Sequence, residues 1–354
     1  MKMFSPWVRL DFAPWLVALA AFIPGAPALA DSARPLVVAH RGASGYLPEH
    51  TLAAKAYAYA LGADYLEQDL VLTKDNVPVV LHDIYLDTVT DVAKRFPDRK
   101  RADGRFYALD LTLAEVKQLR VTERFNAKTG QRVLPGRFPA NQSSFQVSTL
   151  EEELQLVQGL NRSTGHATGI YPEIKQPKWH RVQGHDISRI VLPILMRYGY
   201  ATKADACFLQ CFELAEVRRL RTELGWRGHL VMLIESKAKG DDGTDHDALC
   251  TPAGIKELAG LVDGIGPSFG RIVTWPAAGA PPKLTELVTL AHAEKLIVHP
   301  YTVRIDDLPK NCPSVDALHT ALFQTARIDG VFTDFTDVTL AWLKQNPTRS
   351  GNRP

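Results

Sequence analysis

Short apolar segments alternate with longer amphipathic segments from residue 36 to residue 345. The apolar segments predict eight strands, at 36–40, 65–73, 169–175, 207–212, 229–235, 263–268, 296–303 and 329–335. The amphipathic segments predict eight helices, at 51–62, 149–161, 187–199, 214–225, 251–262, 282–295, 314–326 and 337–345. Several strands are apolar throughout, which is typical of strands buried on both faces. This pattern predicts a parallel α/β fold, and a closed (βα)8 TIM barrel fits the count better than an open doubly wound sheet.

One stretch interrupts the alternation. Residues 76–83 predict a return strand that pairs with the second barrel strand across Lys74-Asp75-Asn76. Residues 84–148 are irregular, charged and aromatic, and 65 residues exceed the length of an ordinary loop. We therefore expect an insertion after the second strand that covers one end of the barrel.

The N-terminus has the features of a secretory signal peptide. Lys2 and Arg9 precede the apolar residues 15–23, and Ala28-Leu29-Ala30 matches a cleavage site. The alternative is a membrane anchor, but nine apolar residues fall well short of the ~20 that a spanning helix needs. We expect residues 1–30 to be removed and the mature protein to be exported, with the periplasm as its compartment.

Chain length then favours one domain. Without residues 1–30 and 84–148, 259 residues remain, close to the ~250 of a bare barrel. We expect a barrel domain at 31–347 and a C-terminal tail at 348–354. The net charge of +2 argues against a nucleic-acid partner. A small-molecule substrate and no stable membrane anchor are expected, while the oligomeric state, a homodimer included, is left open.

Four cysteines are too few for a disulfide framework in a chain of 354 residues. Cys207 and Cys211 lie on a predicted strand about 13 Å apart, too far for a bridge to each other. We expect buried thiols there, and the pairing of Cys207, Cys211, Cys250 and Cys312 stays open.

Candidate catalytic side chains stand at the ends of the first three barrel strands and of the return strand, where barrel enzymes place their active sites. They are His40, Arg41, Glu67, Asp69, His82, Glu173 and Lys175. Each alone has an ordinary structural alternative, such as a solvated edge or a surface ion pair. Together, within apolar strands, they indicate a site, because buried carboxylates need a cation or hydrogen bonds.

The residue types predict a metal-assisted phosphodiesterase. The carboxylates of Glu67, Asp69 and Glu173 suit a hard divalent ion, and Ca²⁺ is favoured over the alternative Mg²⁺ because it tolerates looser oxygen cages. The cationic Arg41 and Lys175 suit a phosphate ester. Two histidines suit acid–base catalysis, because free imidazole titrates at about 6.5.

Six motifs also resemble a known family: VVAHRGASGYLPEHT, GADYLEQDLVLTKD, VPVVLHD, YPEIK, HPYTVR and GVFTDF. They resemble the glycerophosphodiester phosphodiesterase family, and within it the periplasmic bacterial members. The resemblance implies a (βα)8 barrel with a segment inserted after the second strand. It also implies hydrolysis of glycerophosphodiesters, such as glycerophosphocholine or glycerophosphoethanolamine, to an alcohol and sn-glycerol 3-phosphate with a divalent ion.

The resemblance assigns a role to each matching position: His40 and His82 as the acid–base pair, Arg41 and Lys175 as phosphate-binding cations, and Glu67, Asp69 and Glu173 as metal ligands. His50 stands where many members carry Asn, and Thr88 replaces an expected Arg. His299 and Tyr301 are further candidates for lining the glycerol pocket, with packing in the core as the alternative. Gln210 and Asp334 are weaker candidates.

Three questions stay open from the sequence. The attacking group is either water or the glycerol 2-hydroxyl, which would give a cyclic phosphate. A second kind of barrel phosphodiesterase, acting on intact phospholipid, would share the two-histidine arrangement but should expose a membrane-docking face. A binding protein that has lost catalysis is the third reading, and the complete set of candidate residues argues against it.

Overall fold

A computed structural model describes residues 34–348 of the chain. The predicted signal peptide at 1–30 and residues 349–354 of the predicted tail lie outside these residues. Between residues 34 and 348 the strands are β1 Leu36–Ala39, β2 Tyr65–Leu72, β3 Pro78–Val80, β4 Gly169–Ile174, β5 Phe208–Cys211, β6 His229–Ile234, β7 Gly264–Pro267, β8 Val273–Thr274, β9 Lys283–Leu284, β10 Ile297–Val298 and β11 Gly330–Thr333.

Eight parallel strands form the predicted TIM barrel, in the order β10-β7-β6-β5-β4-β2-β1-β11. The ring is closed by hydrogen bonds between residues 298–303, at the end of β10 and just after it, and residues 329–332, just before and within β11. There Asp329 N donates to Val298 O at 3.1 Å, and Val303 N donates to Phe332 O at 2.9 Å. The return strand β3 pairs antiparallel with β2, as the sequence predicted.

The helices cover the outside of the strands. Within the described part of the chain they are α1 Leu52–Ala60, α2 Val92–Arg95, α3 Leu113–Val116, α4 Leu150–Thr164, α5 Pro177–Val182, α6 Ile187–Arg197, α7 Leu214–Thr222, α8 His246–Leu249, α9 Pro252–Ala259, α10 Leu287–Ala293, α11 Val315–His319 and α12 Thr336–Gln345. Short 3-10 turns occur at Pro97–Arg99, Ala108–Asp110 and Phe269–Arg271, and a π-helical segment at Thr320–Ala326 continues α11. None of these helices is long and apolar enough to cross a membrane.

Local chemistry sets the ends of the helices. Thr149 accepts from the Glu152 backbone while the Glu152 side chain bonds back to Thr149, a capping box that starts α4. Gly165 ends the same helix with φ of 76°, a conformation that glycine adopts without cost. The helix predicted over 282–295 was wrong at its start, because Lys283 and Leu284 instead pair with Thr274 and Val273 in a small hairpin.

Two hydrophobic layers hold the barrel. Aromatic and branched side chains fill the interior, namely Val38, Tyr65, Tyr171, Phe208, Val231 and Phe332. A larger cluster packs the outer faces of the strands against the helices. Cys207 and Cys211 belong to this outer cluster and are buried free thiols, which confirms the expectation for both.

The segment between β3 and α4 builds a small core of its own. Leu86, Leu111 and Leu119 are fully buried there and pack with Val71 and Val79 from β2 and β3. The segment thus lies against the outer side of this strand pair rather than running free, and it carries charged residues to the C-terminal rim of the barrel.

Candidate active site

Three buried carboxylates meet at the C-terminal rim of the barrel. Glu67 and Asp69 are two apart on β2 and so face the same side, while Glu173 on β4 is the register partner of Asp69. One oxygen from each lies within 4.8 Å of the others, and all three residues are at most 4% exposed. Asp69 Oδ1 has no hydrogen-bond partner among residues 34–348. Clustered hard oxygen donors with an unpartnered atom fit a divalent cation.

The charge state of this cluster also favours a cation. Burial and the neighbouring Asp69 raise the pKa of Glu67 to about 8. Burial raises the pKa of Glu173 well above its usual value. Burial would raise the pKa of Asp69 too, but Lys175 and His50 hold it well below its ordinary range. Three carboxylates so close cannot all ionise cheaply without a compensating positive charge.

Two cationic side chains border the carboxylates. Lys175 Nζ lies 2.8 Å from Glu173 Oε1 and 3.8 Å from Asp69 Oδ1. The Arg41 backbone N–H donates to Glu67 Oε2 at 2.8 Å, and its guanidinium contacts Glu49 at 3.0 Å. Arg41 adopts φ of 57°, a left-handed conformation that costs about 1 kcal/mol or more for a non-glycine residue. Arg41 is thus held in a strained backbone conformation in which its N–H donates to Glu67.

His40 is held from behind by a carboxylate. Its Nδ1 lies 2.5 Å from Asp334 Oδ1, while Asp334 Oδ2 accepts from Arg137 at 2.6 Å and from Arg304 at 2.8 Å. His40 and the arginines keep the pKa of Asp334 well below its usual value despite burial, so Nδ1 carries the proton. The free Nε2 lies 3.9 Å from Glu67 Oε2.

His82 repeats this arrangement. Its Nδ1 lies 2.7 Å from Asp83 Oδ1, and Asp83 Oδ2 accepts from Arg124 at 2.6 Å. Burial and the charge of Arg41 lower the pKa of both His40 and His82 to about 4. Both imidazoles are therefore neutral at pH 7, each with Nε2 available as a proton acceptor.

A buried chain of polar groups supports the carboxylates from below. His50 Nε2 lies 2.7 Å from Asp69 Oδ2, and its Nδ1 lies 3.2 Å from Lys55 Nζ. Lys55 also donates to the Glu67 carbonyl and pairs with Glu153 at 3.2 Å. The histidine at position 50, noted as a departure in the sequence, thus orients one carboxylate of the cluster.

A cavity of about 290 Å³ opens over these groups. Of the residues that the sequence singled out, its walls include His40, Arg41, Glu67, Asp69, His82, Glu173, Gln210 and Tyr301. Lys175 does not line it but contacts two of its carboxylates. Gln210 donates to Glu67 Oε1 at 3.2 Å.

His299 does not line the cavity, which corrects its place among the candidate pocket residues. It is 1% exposed, stacks edge-on against Tyr171 and Phe208, and its Nδ1 lies 3.1 Å from the Tyr171 hydroxyl. The reason is the position of His299 along the barrel axis. His299 stands two residues nearer the N-terminal end of its strand than Tyr301, so it points into the filled interior of the barrel.

Several residues of the site escaped the sequence analysis or were ranked low. Asp334 follows β11, and its strand-end position was the signal that could have raised its rank. Glu49, Asp83, Arg124 and Arg137 lie in loops or in the irregular segment. No periodicity marks such positions, so only the folded structure shows that they contact Arg41, His82 and Asp334 or one another.

Comparison with known proteins agrees with this picture. Residues 40–338 match the model of the glycerophosphoryl diester phosphodiesterase family. The glycerophosphodiester phosphodiesterase of Haemophilus influenzae is 43% identical over 327 residues, covering 87% of this chain and 90% of that protein.

Solved structures share the fold. A phosphodiesterase structure from Silicibacter pomeroyi has a TM-score of 0.66 at 23% identity and covers 90% of this chain and 96% of that one. An Oleispira antarctica phosphodiesterase, solved in complex with the product sn-glycerol-3-phosphate, has a TM-score of 0.58 at 19% identity. It covers 88% of this chain and 97% of that chain.

Proposed function

Because the chain belongs to the glycerophosphoryl diester phosphodiesterase family, we propose that it cleaves its substrates with one divalent cation and two histidines. The chain is an enzyme, a glycerophosphodiester phosphodiesterase. The proposed reaction is hydrolysis of glycerophosphodiesters, such as glycerophosphocholine or glycerophosphoethanolamine, to the alcohol and sn-glycerol 3-phosphate. The observation that carries the proposal is the pair of carboxylate-held histidines facing one cavity with the three clustered carboxylates.

The cation would be held by Glu67, Asp69 and Glu173, whose buried oxygens fit such a group. Within the described part of the chain, Asp69 Oδ1 has no hydrogen-bond partner and is therefore available to the cation. When bound, the cation would supply positive charge that withdraws electron density from the phosphate. Ca²⁺ is the proposed ion, since carboxylate oxygens alone suit it, with Mg²⁺ as the alternative.

Arg41 and Lys175 bring positive charge to the same rim. A phosphodiester carries one negative charge, and more charge develops on its oxygens as the attacking group approaches. The guanidinium of Arg41, fixed by Glu49, would therefore orient the phosphate and stabilise this charge. Lys175, paired with Glu173, would offset part of the negative charge of the carboxylate cluster beside an anionic substrate.

The histidines would move the protons. His40, held by Asp334 at Nδ1, presents a neutral Nε2 that can accept the proton of the attacking oxygen. His82, held by Asp83, would return a proton to the departing alcohol oxygen. The phosphodiester anion offsets Arg41 and Lys175, which lower the pKa of His82 in the free enzyme, so substrate binding favours the protonated form that this step needs.

The test is release of glycerol 3-phosphate from glycerophosphocholine by the wild-type chain and by His40→Ala and His82→Ala. Each substitution should reduce kcat by roughly 10²- to 10⁴-fold, the usual contribution of a proton-transfer group. His166→Ala is the matched control, because this exposed histidine lines neither the cavity nor the carboxylate cluster. Full activity of His40→Ala, or cleavage of intact phosphatidylcholine in place of glycerophosphocholine, would contradict the proposal.

We also propose that residues 1–30 form a signal peptide that directs the mature enzyme to the periplasm, where residues 31–347 act as one barrel domain with 84–148 as an insertion. The motivation is the short apolar segment followed by Ala28-Leu29-Ala30. N-terminal sequencing of the expressed protein should begin at Asp31. Recovery of an intact Met1 in the cytoplasmic fraction would contradict this proposal.

A further inference from the structure

A second cavity of about 280 Å³ adjoins the catalytic one. The two share His40, Arg41, His82 and Arg304, so they meet at the catalytic histidines. A phosphodiester held between the two histidines must extend in two directions, with its glycerol in one cavity and its alcohol in the other. Which part enters which cavity follows from the charges of the walls.

The walls of the first cavity beyond the ionised rim are uncharged. They include Phe212, Ser268, Phe269, Tyr301 and Thr302. Aromatic faces and hydroxyl groups suit the carbons and hydroxyls of glycerol, which carries no charge. The first cavity therefore fits the glycerol phosphate part of the substrate, next to the carboxylate cluster.

The second cavity holds five carboxylates, and they differ in their partners. Glu49, Asp83 and Asp334 each form an ion pair with an arginine, at 2.6 Å in every case. Glu123 and Asp307 form no ion pair within residues 34–348. Arg41, Arg124, Arg137 and Arg304 also line this cavity. Among residues 34–348, Glu123 and Asp307 are the two lining carboxylates that form no ion pair with these arginines.

Of these two carboxylates, Glu123 gives the stronger indication of a ligand site. Its residue is only 5% exposed, and its Oε2 has no hydrogen-bond partner among the described residues. Burial and the charge of Glu49 raise the pKa of Glu123 to about 7, although the charges of Arg137 and Arg124 lower it. A buried carboxylate oxygen without a hydrogen bond is costly unless a ligand satisfies it.

We propose that Glu123, assisted by the exposed Asp307, binds the positively charged nitrogen of alkylammonium alcohols such as choline and ethanolamine. The inference rests on the proposed function, since it concerns the departing alcohol of the same reaction. Val133 and Leu134 also line this cavity and offer apolar surface to the methylene and methyl groups that surround such a nitrogen. The segment between β3 and α4 thus selects the alcohol, while the barrel carries the chemistry.

The experiment compares kcat/KM for three substrates: glycerophosphocholine, glycerophosphoethanolamine and the neutral-alcohol diester glycerophosphoglycerol. Glu123→Gln removes the charge and keeps the shape. It should lower kcat/KM for the two cationic alcohols by roughly ten- to 150-fold, the range for losing one charge-assisted contact, and leave glycerophosphoglycerol within about twofold. Asp98→Asn is the charge-matched control, because Asp98 is exposed in the same segment and lines neither cavity.

The outcomes distinguish a wrong role for Glu123 from a wrong proposed function. An equal loss on all three substrates, or no loss on any, would overturn the role of Glu123 while leaving the phosphodiesterase activity established. A wild-type chain that cleaves none of the three would refute the proposed function, and the inference with it. If Glu123→Gln fails to fold, Asp307→Asn provides the same comparison, with a smaller selective loss expected because Asp307 is exposed. No selectivity change in Asp307→Asn would then overturn the proposal.

Discussion

Lys55 and Glu153 form an ion pair that is fully enclosed by protein. The ammonium lies 3.2 Å from Glu153 Oε2, and both side chains are 0% exposed. Lys55 also contacts His50 Nδ1 at 3.2 Å and donates to the Glu67 carbonyl. Lys55→Met keeps the length of the side chain and removes its charge, so Glu153 loses its cationic partner within the protein interior.

The expected loss of stability follows from the complete burial of this ion pair. Removing one partner of a buried ion pair destabilises a protein by about 3–5 kcal/mol, because the other charge stays buried without compensation. Burial already raises the pKa of Glu153, so its carboxyl can escape part of the cost by taking up a proton. We therefore expect the lower end, about 3 kcal/mol. In a domain of this size that corresponds to a fall of about 4–5 °C in Tm.

The assay is thermal and urea unfolding of Lys55→Met, Glu153→Gln and the double variant. Replacing both partners removes the unpaired charge, so the double variant should be more stable than the sum of the single losses by at least about 1 kcal/mol. A single variant within about 1 kcal/mol of wild type, or strictly additive losses, would refute the view that the pair is enclosed and coupled.

Two further predictions concern the site. Asp334→Asn should lower kcat by about 10²-fold or more with little change in KM, because His40 loses the ionised partner that fixes its proton on Nδ1. Asp306→Asn, which contacts Arg137 but not His40, should keep most of the activity, and equal losses in the two variants would contradict the prediction. Ca²⁺ affinity, measured by calorimetry, should rise between about pH 6 and about pH 8.5, and proton release should accompany binding. The reason is that Glu67 and Glu173 must lose their protons to bind the ion. The pKa of Glu67 is about 8, and the pKa of Glu173 is raised well above its usual value. An affinity that does not change over this range would show that the carboxylates are already ionised in the free enzyme.

The barrel was predictable because each strand carries its own signal. The eight strands of the ring are short and buried. A buried strand needs a run of apolar residues, which can be seen in the sequence of that strand alone. The hairpin at Val273–Thr274 and Lys283–Leu284 was missed because two-residue strands leave no period to detect. The same reason hid the short helices α5 and α8.

The inner part of the site was predictable for a different reason. Glu67 and Asp69, two residues apart, must face one side of a strand, and β4 lies beside β2 in the sheet. The supporting contacts were not predictable. His40 meets Asp334 across 294 residues of sequence, and Arg124 reaches Glu49 across 75. Such pairs depend on closure of the barrel and on the path of the irregular segment, which no local pattern encodes.

The central claim is that three carboxylates hold a divalent cation on which phosphodiester cleavage depends. The direct measurement is release of glycerol 3-phosphate from glycerophosphocholine by EDTA-treated enzyme, with Ca²⁺ or Mg²⁺ added back, in the wild type and in Glu173→Gln. We expect activity to disappear with EDTA and return with Ca²⁺ in the wild type, and Glu173→Gln to need a far higher Ca²⁺ concentration or to stay inactive. Full activity in EDTA, or wild-type Ca²⁺ dependence in Glu173→Gln, would contradict the account.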